Sequence, residues 1–155
     1  MTAADASAAA DLVARAMDPN EGAYAAETFK FHFACADKAI DDGRHLFVLE
    51  EHGRVLGIVG LHFYVWGPPQ NVWLSWFAVD PDNQGSGLGG RLLAASMDEA
   101  RKLGYEKVFI ETYANDTFTK ATRFYIAQGF HVAGTIANYL PDGSSMVVLS
   151  RSLAG

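Results

Sequence analysis

The eight residues Asn83-Gln84-Gly85-Ser86-Gly87-Leu88-Gly89-Gly90 join two different hydrophobic periods. Before them, Asn71–Val79 is an apolar run rich in Val, Trp and Phe, which predicts a strand. After them, Leu92, Leu93, Met97, Ala100 and Leu103 recur at helical spacing, predicting a helix over Leu88–Leu103 that ends on Arg101, Lys102 and Gly104. Glycines at such a joint let the backbone turn its N–H groups toward one point and let a bulky anion approach. The opening helix adds the positive end of its dipole, so a phosphate group could be held with almost no side-chain charge. A helix start with no ligand has little use for three glycines in five residues, each of which costs entropy to order.

Two phosphate-loop patterns fit the same letters. Gly85, Gly87 and Gly90 satisfy G-x-G-x-x-G, and Gln84 through Gly89 satisfy Q-x-x-G-x-G. The first, a dinucleotide fingerprint, requires its first glycine within about two residues of the strand end and an acidic residue about 20 positions on, at the end of the next strand. Here Asp80-Pro81-Asp82-Asn83-Gln84 intervenes; Glu106 has the spacing but begins a strand, and Glu111 ends one but comes later. No Lys-Ser/Thr follows the glycines, which removes the nucleotide-triphosphate loop. An NAD(P)-binding oxidoreductase is therefore the weaker reading, and Q-x-x-G-x-G the stronger.

The rest of the chain supports that choice. Residues 4–17 and Tyr24–Ile40 have helical apolar stripes, separated by the breaker Asp18-Pro19-Asn20. His45–Glu51, Arg54–Trp66 and Asn71–Val79 then form an antiparallel meander, punctuated by His52-Gly53 and Gly67-Pro68-Pro69. Lys107–Tyr113 is a strand, Phe118–Gln128 a short helix stopped by Gly129, and Phe130–Asn138 and Ser145–Ser152 are two strands around Pro141-Asp142-Gly143. The predicted order is ααβββαβαββ, in one domain spanning 1–155. A doubly wound fold would begin with alternating β and α.

Composition removes several classes. The chain carries a formal charge of −6 and no basic run longer than Arg101-Lys102, which opposes nucleic acid as a partner. No apolar run approaches a membrane span, and Met1–Val13 lacks the basic start of a signal peptide, so a cytoplasmic protein is expected. The single cysteine, Cys35, cannot form an internal disulfide and is expected to be buried filler. The five histidines show no metal-ligand spacing, so no metal is expected.

The segment Val79–Met97, with Gln84-Gly85-Ser86-Gly87-Leu88-Gly89 at its centre, resembles the acyl-CoA loop of the GNAT superfamily of acyl-CoA-dependent N-acyltransferases. A second signature lies downstream: Ala121-Thr122-Arg123-Phe124-Tyr125-Ile126-Ala127-Gln128-Gly129-Phe130 is similar to that family's A-x-x-F-Y-x-x-x-G-F. The resemblance covers roughly residues 45–151. It implies an α/β fold with a mixed, mostly antiparallel central sheet flanked by helices on both faces. It also implies acetyl-CoA as co-substrate and an N-acetyltransferase acting on a small amine or a peptide. Gly90, the third glycine of the rejected fingerprint, would follow the loop proper at the helix opening. The strand residues Phe77, Ala78 and Val79 would present backbone groups to the pantetheine arm, with Phe124 nearby. By the same resemblance Tyr125 is the candidate general acid for the departing thiolate, which suits a phenol, since it stays protonated at neutral pH.

Two departures stand out. The family usually begins with a strand, whereas here a helix starts almost at Met1, so the first strand is missing or very short; a homodimer could cover the edge this leaves. The family often carries Asn seven positions before the Tyr; here that position is Phe118, and the nearest Asn is Asn115. No carboxylate lies on Asn71–Val79, so the general base stays open among Glu111, acting through water, His62 and His32. Phe29, Phe31, His32, Phe33, Tyr64, Trp66, Trp73 and Trp76 would border the acceptor side, or simply pack. A catalytically silent acyl-CoA-binding module remains the alternative of a different class.

Overall fold

The computed structural model describes residues 1–154. The elements are α1 (Ala6–Ala16), α2 (Pro19–Ala36), β1 (Arg44–Glu51), β2 (Arg54–His62), β3 (Asn71–Val79), α3 (Leu88–Lys102), β4 (Lys107–Tyr113), α4 (Asp116–Ala127), β5 (His131–Ile136) and β6 (Met146–Ser152). Their order is the one expected from the hydrophobic periods. The six strands form one sheet in the order β1-β2-β3-β4-β6-β5, antiparallel throughout except between β3 and β4.

Helices cover both faces. On one, Ala9, Leu12 and Val13 of α1 and Ala25 and Phe29 of α2 bury Leu46, Ile58 and Ala78. On the other, Leu92, Leu93 and Met97 of α3, with Tyr125 of α4 and Phe130, close over Val59, Leu61, Val72, Leu74, Val108, Ile110 and Leu149. Alternation along β4 sorts its side chains: Val108, Ile110 and Thr112 are buried, while Lys107, Phe109, Glu111 and Tyr113 belong to the opposite face.

Three boundaries differ most from the sequence reading. Asp18-Pro19 does end α1, but it also starts α2: the Asp18 carboxylate accepts from the N–H groups of Asn20 and Glu21, and Pro19 takes the first helical position, where its missing N–H is harmless. The next residues enter a tight crossing, since a Cβ on Gly22 would sit 2.4 Å from the Cβ of Ala14. At its far end α2 stops at Ala36 rather than Ile40. Strand β2 ends at His62 rather than Trp66, because the chain turns with the Gly67 N–H donating to the Tyr64 carbonyl.

Among the described residues no strand precedes Arg44. Ala3–Asp5 is a short 3-10 turn, and the Met1 ammonium donates to the Leu46 carbonyl of the edge strand β1. No helix among them is long and apolar enough to cross a membrane, and no group of three or more His, Cys, Asp or Glu among them is arranged to hold a metal ion.

Candidate acyl-CoA site

The parallel pairing of β3 with β4 covers only Asn71–Trp73 against Lys107–Phe109. Beyond it the strands part, while β3 stays paired to β2 on its other edge as far as Val79. Alternate backbone groups of Leu74–Val79 are thus left on an open edge, the arrangement by which a sheet accepts an extended ligand. A bulge sharpens the opening. Between Ser75 and Ala78 the register with β2 shifts, and Trp76 adopts a left-handed φ of 48°. Such a conformation is a genuine outlier for a bulky residue. Here it turns Trp76 edge-on to Phe29, 6.4 Å away, on the α1/α2 face, while Phe77 stays with the opposite core.

The glycine loop closes one end of this opening. Asp80, 2% exposed, fixes its start: its carboxylate accepts from the Asp82 N–H and faces the guanidinium groups of Arg15 and Arg54 at 3.7 and 3.6 Å. Gly85 and Gly87 have φ of 81° and 85°, where any L side chain is strained, and a Cβ on either would project into open space. Gly87 occupies the N-cap of α3, so the N–H groups of Leu88, Gly89 and Gly90 have no partner in the helix. The Ser86 hydroxyl donates to the Asn83 carbonyl and holds the turn. Three free donors, an open concave backbone and a helix dipole suit a diphosphate, so the residues present fit the CoA expectation.

Tyr125 stands beside the opening, 7% exposed, its ring held edge-on by Phe77, Phe124 and Phe130 at 5.8, 5.3 and 5.9 Å. Phe124 also stacks on Phe77 at 5.7 Å and comes near Gly89, so one aromatic cluster ties α4, β3 and the loop together. The Tyr125 hydroxyl makes no side-chain hydrogen bond among the described residues, yet no fully buried side-chain oxygen or nitrogen lacks a partner. The hydroxyl therefore keeps an opening to solvent. Burial raises its pKa far above the ordinary phenol value, so the proton is present throughout the neutral range.

The other side of the gap has a different character. Past the Trp73–Phe109 pair, where the parallel ladder ends, β4 continues through Glu111 and Tyr113 on the same face as Phe109. Glu111 is exposed, and its carboxylate accepts a hydrogen bond from the Tyr113 hydroxyl. Burial first, then that bond and the carboxylate's charge, raise the Tyr113 pKa. Tyr113 is supported edge-on by Phe118 at 4.9 Å and stacked on Tyr139 at 6.1 Å. Phe118 thus fills the family's Asn position with packing. Asn115 caps α4, accepting from the Phe118 N–H, and donates to the Ser144 hydroxyl.

The two remaining base candidates lie further back. His62 is paired with Trp73, roughly 10–13 Å along the strand from Phe77. Burial, then the Arg44 charge, lowers its pKa. His32 is held by Asp42, Nδ1 to Oδ1 at 2.9 Å, and Asp42 is shared with Arg44. Beside them Trp66, Tyr64, Trp73 and Phe109 form a continuous run of rings, with successive centroids 4.9, 6.1 and 5.2 Å apart. Trp66 is 79% exposed, Phe31 is exposed beneath Arg44, Phe29 is core and Cys35 is half-buried. Sequence reasoning missed Tyr113 and Glu21. Glu21, on the first turn of α2, is close enough to add to the Tyr113 shift, a proximity that no local pattern carries.

A sheet opened between two parallel strands, with a glycine loop at its mouth, defines a fold class shared with known proteins. Residues 9–130 match the acetyltransferase (GNAT) family, and the chain belongs to that family. An uncharacterised N-acetyltransferase of Schizosaccharomyces pombe is 33% identical over 88 residues, which are 57% of this chain and 52% of that protein. The chain thus spans about half the length of this curated relative. A crystal structure from Desulfovibrio desulfuricans, described as a GNAT-family acetyltransferase, superposes with a TM-score of 0.88 at 24% identity, over 97% of this chain and 94% of that one. An acetyltransferase-type protein of Salmonella typhimurium, solved with its cofactor acetyl-CoA, superposes with a TM-score of 0.74 at 21% identity, over 100% and 92%.

Proposed function

We propose that the chain is an N-acetyltransferase that moves an acetyl group from acetyl-CoA to a primary amine of a small molecule or peptide by direct attack. The observation that carries this reading is the parting of β3 from β4 directly beside Tyr125, with the glycine cradle at the same end. Bound acetyl-CoA supplies the acyl group as a thioester. Gln84–Gly90 hold its diphosphate through backbone N–H groups, and Phe77, Ala78 and Val79 pair with its peptide-like arm. A backbone N–H beside Phe77 stabilises the negative charge that develops on the carbonyl oxygen.

Tyr125 gives its phenolic proton to the departing sulfur. A phenol of raised pKa donates only to a strong base, and a thiolate expelled into the same dry surroundings is made more basic by the same desolvation. The amine attacks as the neutral base, and the proton that its nitrogen sheds leaves from the other face of the sheet, where Glu111 can receive it through water. Tyr125 belongs to the α3/α4 core and Glu111 to the opposite face, so acid and base approach the gap from two sides. The rings Tyr64, Trp66, Trp73 and Phe109 border the acceptor's approach and favour an amine carrying apolar or planar surface.

The test measures CoA thiol release over a panel of amines, for the wild type and Tyr125→Phe. The substitution is expected to lower kcat about 100-fold, in the range of one lost general acid, and to leave CoA affinity unchanged. Tight CoA binding with no turnover on any amine would replace this reading with a silent acyl-CoA-binding module. Thermal protection by NAD(P)H but not by acetyl-CoA would replace it with an oxidoreductase.

A further inference from the structure

Helix α4 turns two side chains toward the glycine loop one helical turn apart. Phe124 lies against Gly89, where an added Cβ would meet its ring at 3.6 Å. Lys120, four residues earlier, donates from Nζ to the Gln84 side-chain oxygen at 3.2 Å. Lys120 takes part in no ion pair among the described residues, whereas Arg91, the cation on the first turn of α3, is held by Glu51 at 3.3 Å. In a chain of net charge −6, this lysine stands beside the loop without a carboxylate, held only by a neutral amide.

An ammonium gains by exchanging a neutral amide oxygen for a phosphate oxygen, because the full negative charge of the new partner adds Coulomb attraction to the hydrogen bond. Gln84 gives the second half of the exchange. Its amide nitrogen reaches toward the Val79 carbonyl at 3.5 Å, so its oxygen can be released without unfolding the loop. Resting on the acyl-CoA reading above, we propose that Lys120 neutralises the diphosphate in the loop, leaving Gln84 for a phosphate oxygen when CoA binds. One rigid helix then carries both the residue that senses the diphosphate and Tyr125, so charge neutralisation at the cradle fixes α4 against β3 where the proton is delivered.

Calorimetric titration of CoA and 3′-dephospho-CoA, over a series of salt concentrations and with no acceptor amine, tests this directly. Lys120→Gln is expected to weaken both ligands about tenfold, the size of one hydrogen bond to a charged group, and to flatten the salt dependence. Lys120→Arg is expected to restore both. Unchanged CoA affinity in Lys120→Gln overturns the proposal, as does a loss confined to CoA, which would place the lysine on the 3′-phosphate. A wild-type chain that binds neither ligand overturns the acyl-CoA reading itself and removes this proposal with it. The melting temperature of ligand-free Lys120→Gln should match the wild type, since the side chain is exposed.

Discussion

The two faces of the sheet at the β3–β4 gap are built on different plans. The cofactor side is backbone and packed rings: three glycines, a helix opening, and Phe77, Phe124 and Tyr125 locked to the α3 core. The side proposed for the acceptor is built of exposed and half-buried side chains: Glu111 with Tyr113, the run from Trp66 to Phe109, and His32 held by the Asp42 that Arg44 shares. A ligand of constant shape can be met by fixed backbone, whose ordering is completed during folding. A variable acceptor is met by side chains that change without moving the sheet. The first kind of site leaves a motif in the chain; the second leaves only composition.

That contrast can be broken. Gly87→Val should act on the cofactor side alone. A β-branched residue at φ 85° bears about 1–2 kcal/mol of left-handed strain, and its side chain would occupy space that is open beside the loop. CoA affinity is expected to fall more than tenfold by calorimetry, with acceptor selectivity unchanged among whatever turnover remains. Loss of selectivity would show that the two sides are coupled. Glu111→Gln should act on the acceptor side alone, lowering kcat/KM for amines about fivefold, near the net value of one hydrogen bond. Its effect should shrink as pH rises and the amine arrives neutral, with CoA affinity untouched.

His62 sharpens the contrast most gently. Its pKa is lowered in the folded protein, chiefly by burial, so the unfolded chain binds the proton more readily. Stability is therefore full above the unfolded value of about 6.5 and declines as pH falls below it. His62→Gln should flatten that decline in urea unfolding between pH 7 and 5. An unchanged slope would show that His62 contributes nothing to the acid sensitivity of this side.

The order of all ten major helices and strands was legible in the chain because each period change, from 3.6 to 2 and back, is local. The glycine loop was legible for the same reason, since its turn into α3 is made by consecutive residues, with positive φ at Gly85 and Gly87. What stayed hidden was made by contact across the sequence. Asp18-Pro19 reads as a stop and works equally as a start, because its carboxylate turns forward to Asn20 and Glu21. Phe63–Trp66 has strand composition but leaves the sheet at a turn. Lys120 and Gln84 lie 36 residues apart and meet only after α4 docks. The same holds for Tyr113, whose hydroxyl meets Glu111 on one strand but whose ring is fixed by Phe118 and Tyr139 from two other segments.

The short β3–β4 ladder has a mechanical side. Three residue pairs, continued by the Gln70 carbonyl that accepts from Glu106 and Lys107, form the backbone seam between the leaf β1-β2-β3 and the leaf β4-β6-β5. Everything beyond Trp73 is a hinge line, bridged on one face by α3 and the aromatic cluster. A ligand whose amides pair along Leu74–Val79 would work as a strut between the leaves, so occupancy would set the stiffness of the molecule. Amide exchange along β3 and β4 should slow together when the ligand is present, while the outer strands β1 and β5 keep their own rates.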